Sequence, residues 1–180
     1  NGKRLGWSAQ FGRLNALKGW FQWLTRQNVM MHNPASELEM PLKEKRLPVE
    51  AMSISQVEAL MNMPDARDPL GIRDRAMLEV FYSSALRRME LCNLGLTDIN
   101  MDKKVITVRQ GKGKKDRVVP IGIRALQWVD RYLKEVRPRL CLDTRTQTFF
   151  LSAYGEGFNG DVMSRMVAKW MEQVGVKGSC

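Results

Sequence analysis

A mostly helical fold with a small antiparallel β-sheet (α+β) is what this sequence predicts, and three observations predict it. Apolar residues recur at three- and four-residue spacing over several stretches. One pair of β-branched runs, Val105-Ile106-Thr107-Val108 and Val118-Val119-Pro120-Ile121, is joined by a glycine-containing charged turn, a hairpin signal. Proline- and charge-rich punctuation separates the helical stretches. Hydrophobic residues make up 44% of the 180, with five Trp and six Phe, enough for a packed core and against general disorder.

Taken in order, residues 8–27 predict one amphipathic helix. Ser8 stands where an N-cap belongs, and Leu14, Leu17, Phe21 and Leu24 recur at helical spacing. Arg13, Lys18, Gln22 and Arg26 fall between them and are expected to face outward. Asn33-Pro34 ends that pattern, and residues 41–49 read as a linker, with Pro41 and Pro48 bracketing Lys43, Glu44, Lys45 and Arg46. The domains so divided are 1–40 and 50–180. In the second, Ser55 and Glu58 have capping-box spacing and open a helix to about Met63. Residues 70–84 and 87–94 predict two further helices parted by a short turn. The hairpin follows, then a helix over 124–136, a short strand at Phe149-Phe150-Leu151 and a last helix over 161–174.

Charge bounds the function. Twenty-nine Lys and Arg stand against nineteen Asp and Glu, a formal +10 that draws polyanions. Charge alone also fits a basic protein that is merely soluble. Residues 1–36 hold Lys3, Arg4, Arg13, Lys18 and Arg26 and no acidic residue. Cys92, Cys141 and Cys180 are few, odd in number and widely spaced, which suggests free thiols in a reducing cytoplasm. His32 is the sole histidine of the sequence and no Cys/His group has metal spacing, so no metal site is expected. No apolar run has membrane-spanning length, and no signal-peptide pattern is present.

Two constellations hold chemistry. From Asp102 to Arg117 there are seven basic residues (Lys103, Lys104, Arg109, Lys112, Lys114, Lys115 and Arg117) against two acidic ones. With Gly111 and Gly113, such a turn can approach a phosphate chain. A solvated strand edge or a plain flexible turn would show the same residues. A P-loop is excluded, since Gly-Lys lacks the following Ser or Thr and the preceding spaced glycine. The second constellation is Arg87 and Glu90, three apart in Ala85-Leu86-Arg87-Arg88-Met89-Glu90-Leu91. By spacing alone they are an ordinary surface ion pair.

Set in order, these segments resemble the tyrosine site-specific recombinases of the Xer and phage-integrase type. The family pattern runs Arg-Asp-x-Ala, Gly-Leu-Arg-x-x-Glu-Leu, Asp-Ile and Gly-Lys-Gly-x-Lys-x-Arg-x-Val-Pro. Here it is matched by Arg73 to Ala76, Ala85 to Leu91, Asp98-Ile99 and Gly111 to Pro120. The departure is Ala85, where the family usually has Gly; an alanine fits there if its φ is negative. Trp20 to Leu24, Asn33-Pro34 and Leu47-Pro48 resemble the end of a helical core-binding domain and its linker. Phe149 to Ser152 resembles the approach to the second half of the active site.

The resemblance implies roles. Arg87 matches the first catalytic arginine, which holds the scissile phosphate through a planar fork. Lys112 matches the hairpin lysine that protonates the departing 5′ oxygen. Glu90 matches the acidic residue that buttresses the arginine. Arg88, Arg109, Lys114, Lys115, Arg117, Arg13 and Lys18 are the expected DNA contacts. A duplex recombination site is the implied partner, a homo-tetramer the implied assembly, and no cofactor is implied. The implied location is cytoplasmic, at the nucleoid. The family also uses a His-x-x-Arg motif, a further His or Trp, and a tyrosine nucleophile, all downstream of these matches. The sequence stops at Gly178-Ser179-Cys180, where that motif is expected, so it reads as truncated at both ends and able only to bind DNA. Tyr82, Tyr132 and Tyr154 lie too early to be the nucleophile, and the first two read as packing residues. The alternatives are a non-catalytic DNA-binding module and an RNA- or ribosome-associated basic protein.

Overall fold

A computed structural model describes residues 5–42, 51–109, 111, 113 and 115–176. The chain divides into two compact units, Asn1–Val49 and Glu50–Cys180. The expected linker lies mostly outside the described residues. The architecture is helical with one three-stranded antiparallel sheet. Among the described residues no helix is long and apolar enough to cross a membrane.

The first unit is organised on α1 (Trp7–Arg26). Ser8 is not its cap. The helix begins at Trp7, and its N-cap is Gly6, two residues before Ser8, with no side-chain cap bond. Trp7 sets that start instead, stacking on Phe11 at 5.0 Å and donating Nε1 to the Pro41 carbonyl at 2.9 Å. None of the 20 helical residues is buried, and Trp20 and Trp23 are each 55% exposed. Arg13 faces outward as expected, but Lys18 does not. Its ammonium folds back onto the carbonyls of Leu38 (2.9 Å) and Ser36 (3.3 Å), half-burying the side chain.

The second unit opens with α2 (Ile54–Met61). Its capping box is Ser53 and Gln56, not Ser55 and Glu58. Ser53 Oγ accepts from Gln56 N–H at 3.2 Å, and Gln56 Oε1 accepts from Ser53 N–H at 2.9 Å. Glu58 lies past the first turn and pairs with Arg124 at 2.9 Å. The central helix is α3 (Pro69–Ser84), started by Asp68 as N-cap with Pro69 at its first position. It packs against α2, α4 (Arg88–Cys92), α5 (Ile123–Arg131) and the π-helical stretch Tyr132–Val136.

Because α3 is enclosed, its charged residues had to be paired. Arg73 holds Asp74 at 2.7 Å, and Arg75 holds Glu79 at 2.8 Å. Glu79, 2% exposed, also accepts from Arg124 at 2.9 Å. Arg124 thereby ties α2, α3 and α5 together.

The turn after α3 corrects one expectation. Ala85 caps the helix in the left-handed region, at φ 48° and ψ 37°. Its φ is positive, the conformation that favours glycine and costs an L-residue about 1–2 kcal/mol. Tyr82 likewise does not pack; it is 59% exposed.

The sheet order is β1 (Ile99–Asn100), β2 (Val105–Val108), β3 (Arg117–Pro120). Val108 pairs with Arg117 and Val105 with Pro120, so β3 starts one residue before the predicted strand. β1 was not predicted, two residues being too short for a pattern. Ile106 and Val108 alternate into the core.

The helix expected over 124–136 continues beyond it, through the π stretch into α6 (Arg137–Leu140). Phe149-Phe150-Leu151 is not a ladder strand. All three side chains are buried, and the backbone is held by isolated bridges, Gly95 to Thr148 and Leu151 to Gly157. Tyr132 secures it from below, donating to Phe149 O at 3.1 Å and accepting from Leu151 N–H at 3.0 Å. Last is α7 (Gly160–Gln173), capped by Asn159 and packed on α4. Cys92 and Cys141 are free thiols, Cys92 buried.

Candidate nucleic-acid interface

Arg87 does not lie in a helix. It is the N-cap of α4, extended at φ −71° and ψ 149°, and Glu90 is the third residue of that helix. The local logic is half of a capping box: Glu90 Oε2 accepts the Arg87 backbone N–H at 2.8 Å. Glu90 Oε1 also accepts from Arg87 Nη1 at 2.7 Å. Backbone and side chain of Arg87 are therefore oriented by one carboxylate, while its side chain stays 56% exposed.

The same carboxylate takes a second arginine. Arg117, at the start of β3, donates Nη1 to Oε1 at 2.8 Å and Nη2 to Oε2 at 2.6 Å. The Glu90 side chain is 9% exposed. Arg117 above all, then the Arg87 N–H and guanidinium, hold its carboxyl down to about 2. Two guanidiniums against one carboxylate leave an excess of positive charge there.

Arg87, Glu90, Asp98, Arg109 and Gly111 line one open cleft of about 370 Å³ between α4 and the sheet, with Asn93 and Thr107 among its other walls. Arg109 donates Nε to Asp98 Oδ1 at 2.7 Å, which raises the guanidinium's pKa. Lys112 and Lys114 lie outside the described residues. Their neighbours do not: Gly111 is buried and donates its N–H to Lys115 O at 3.1 Å, and Lys115 is exposed. A Cβ added at Gly111 would stand 2.8 Å from Arg117 Nη1 and 3.1 Å from Lys115 O, so a larger residue would have to displace the Arg117 guanidinium or shift the turn.

The remaining expected contacts are elsewhere. Arg88 turns away from Arg87 toward α7, donating Nη1 to Ser164 Oγ at 2.6 Å with Asp161 at 3.4 Å. Arg13 and Lys18 belong to the other unit. Tyr132 is fully buried, and that burial pushes its phenol up to about 12. Asp98 was missed as a site residue, though the Asp-Ile motif had marked it. Arg117 was seen only as positive charge, because its partner lies 27 residues away.

The model of the phage integrase family matches residues 50–179. Tyrosine recombinase XerC 2 of Ralstonia nicotianae is 45% identical over 177 residues, covering 98% of this chain and 51% of that protein. The chain spans about half the length of the curated relatives it matches. Among solved structures, XerH recombinase in its pre-cleavage complex with difH substrate aligns at TM-score 0.72 and 18% identity, over 98% of this chain and 51% of that one. The lambda integrase tetramer bound to a Holliday junction aligns at TM-score 0.65 and 15% identity, over 92% and 45%. The fold is shared at those identities, and the sequence match over nearly the whole chain settles the lineage: this chain belongs to the phage integrase family, among the Xer-like tyrosine recombinases.

Proposed function

We propose that the chain grips duplex DNA and supplies the phosphate-holding part of a site that cleaves and rejoins strands through a 3′-phosphotyrosine link. The observation that carries this is Arg87, exposed at a cleft mouth yet fixed by Glu90 through both its backbone N–H and its guanidinium. A guanidinium held in place beforehand meets a phosphate without reorganising, which is how developing charge on the phosphoryl oxygens is stabilised. Lys112 is the proposed general acid toward the departing 5′ oxygen, an ammonium being able to give a proton where an arginine is not. A phosphotyrosyl bond keeps the phosphodiester energy, so rejoining needs no nucleotide hydrolysis.

Lys114, Lys115, Arg13, Lys18 and Arg88 are proposed backbone contacts on the DNA. Lys18 and Arg88 would have to exchange their present partners for phosphate. The complexes seen for XerH with its substrate and for lambda integrase on a junction support duplex DNA as partner and a tetramer as working assembly. Chemistry on DNA suggests a cytoplasmic place beside the nucleoid.

The 180 residues by themselves are proposed to bind duplex without a covalent link. Mobility shifts with duplex, single-stranded DNA and structured RNA in competition test the first part, and the duplex should win. Preference for structured RNA would overturn it. A DNA-linked protein band on a denaturing gel would overturn the second.

A further inference from the structure

Both ends of the hairpin turn are tied to carboxylates that the fold buries. At its entrance Arg109, next after β2, holds Asp98 Oδ1 at 2.7 Å. Asp98 is itself fixed: its Oδ2 accepts Gly95 N–H at 2.8 Å, and its carbonyl accepts Thr107 N–H at 2.8 Å. At the exit Arg117 grips Glu90 with both arms of its fork. The two carboxylate side chains are each 9% exposed. Between these ties Gly111 rests over the second pair, 3.3 Å from Glu90 Oε1 to the position its Cβ would take.

An arginine kept for phosphate leaves part of its fork free, as Arg87 does in giving Glu90 one fork nitrogen while staying 56% exposed. Arg117 instead spends its fork on a carboxylate of another element, in the bidentate geometry that fixes direction as well as distance. Breaking the Arg117 pair would leave the nearly buried Glu90 with Arg87 alone, and breaking the Arg109 pair would leave Asp98 without its cation, in each case a cost set against one new phosphate contact.

We infer that Arg109 and Arg117 are positioning residues rather than DNA contacts. They clamp the turn at its two ends and fix the backbone at Gly111, the residue immediately before Lys112 in sequence. The hairpin's phosphate-contacting charge is then its lysines. The inference deepens the proposed function and rests on it for what Lys112 does, though the clamp itself stands on geometry alone.

The test uses the 180-residue chain with Arg117→Gln, Arg117→Lys and, as a phosphate-contact control, Lys115→Ala. Two quantities are read: amide hydrogen exchange at Gly111, and the slope of log affinity against log salt for a short random duplex between about 50 and 200 mM. Arg117→Gln should speed Gly111 exchange roughly tenfold or more, the local tie being gone. Its salt slope should stay that of the parent, while Lys115→Ala flattens the slope by about 0.9. Arg117→Lys, keeping one charge-assisted bond to Glu90, should restore part of the protection. Unchanged exchange, or a slope flattened as far as by Lys115→Ala, overturns the inference. Should Arg117→Gln fail to fold, Arg109→Gln gives the same two readings at the other end of the turn. If the parent chain shows no salt-dependent duplex binding, the proposed function falls, while Gly111 exchange still decides the clamp.

Discussion

Arg117 and Glu90 meet fork to fork across 27 residues of sequence, with Nη1 to Oε1 at 2.8 Å and Nη2 to Oε2 at 2.6 Å. Arg87 shares that carboxylate, its Nη1 on the same Oε1 at 2.7 Å. One acidic residue therefore joins the start of α4 to the start of β3. Its loss would orphan the orientation of the phosphate-gripping arginine and the anchorage of the hairpin together.

The charge on Glu90 should be visible in acid. Its carboxyl is lowered from 4.5 to about 2, first by Arg117 and then by Arg87. A depressed carboxylate contributes its full stability above the unfolded value and loses it as pH falls through the folded one. Urea midpoints of the parent should decline between pH 4.5 and about 2 by more than those of Glu90→Gln. The variant should be the less stable at neutral pH, and the two curves should converge in acid. Asp65 and Asp143, also lowered, are present in both proteins and cancel. Parallel curves would show that Glu90 contributes no such linkage.

Ala85→Gly should stabilise the protein. Ala85 holds φ 48°, and its N–H still closes α3 by donating to Phe81 O at 3.1 Å. Removing Cβ relieves about 1–2 kcal/mol of left-handed strain. Glycine's greater freedom in the unfolded chain takes back part of this, leaving a gain of about 0.5–1 kcal/mol. Chemical denaturation with an unchanged m-value measures it. A loss of stability would mean that the alanine methyl makes packing contacts worth more than the strain.

Periodicity and turn chemistry made the helices and the hairpin legible, because those signals are local. Capping shows where locality fails. Ser55 and Glu58 have the same spacing as Ser53 and Gln56, yet in the fold Ser53 and Gln56 form the box while Glu58 pairs with Arg124 of α5. The buried charges of α3 are hidden for a like reason: Arg75 and Glu79, four apart, carry no local sign that α5 will pack over their helix. At the site, Arg87 and Glu90 are three apart and could be seen, whereas the partnerships of Arg117 with Glu90 and Arg109 with Asp98 needed the sheet to form first. The sign of φ at Ala85 was open too, since nothing in an alanine announces a left-handed cap.

Tyr132→Phe tests the irregular segment that stands where a strand was expected. The hydroxyl bonds both Phe149 O and Leu151 N–H, and the ring lies among Phe149 and Phe150 at 6.2 and 5.3 Å. Phenylalanine keeps the packing but leaves a buried N–H without its acceptor, a cost of about 1–3 kcal/mol. Thermal or urea unfolding should show that loss, with greater hydrogen exchange at Leu151. A change below about 0.5 kcal/mol would mean the backbone finds another acceptor.

Arg87 should separate affinity from stability. Its side chain is 56% exposed, and an exposed ion pair contributes about 0–1 kcal/mol. When Arg87 becomes Ala, Glu90 keeps both arms of Arg117 and the backbone N–H at position 87. The unfolding free energy should therefore fall by no more than about 1 kcal/mol. Binding to duplex should weaken instead, with a log–log salt slope shallower by about 0.9, one phosphate contact. Anisotropy titrations alongside denaturation distinguish the cases. If Arg87→Ala destabilised the fold by several kcal/mol and left the salt slope as it was, the guanidinium would be a structural partner of Glu90 and nothing more. The phosphate grip would then have to be sought elsewhere on the surface.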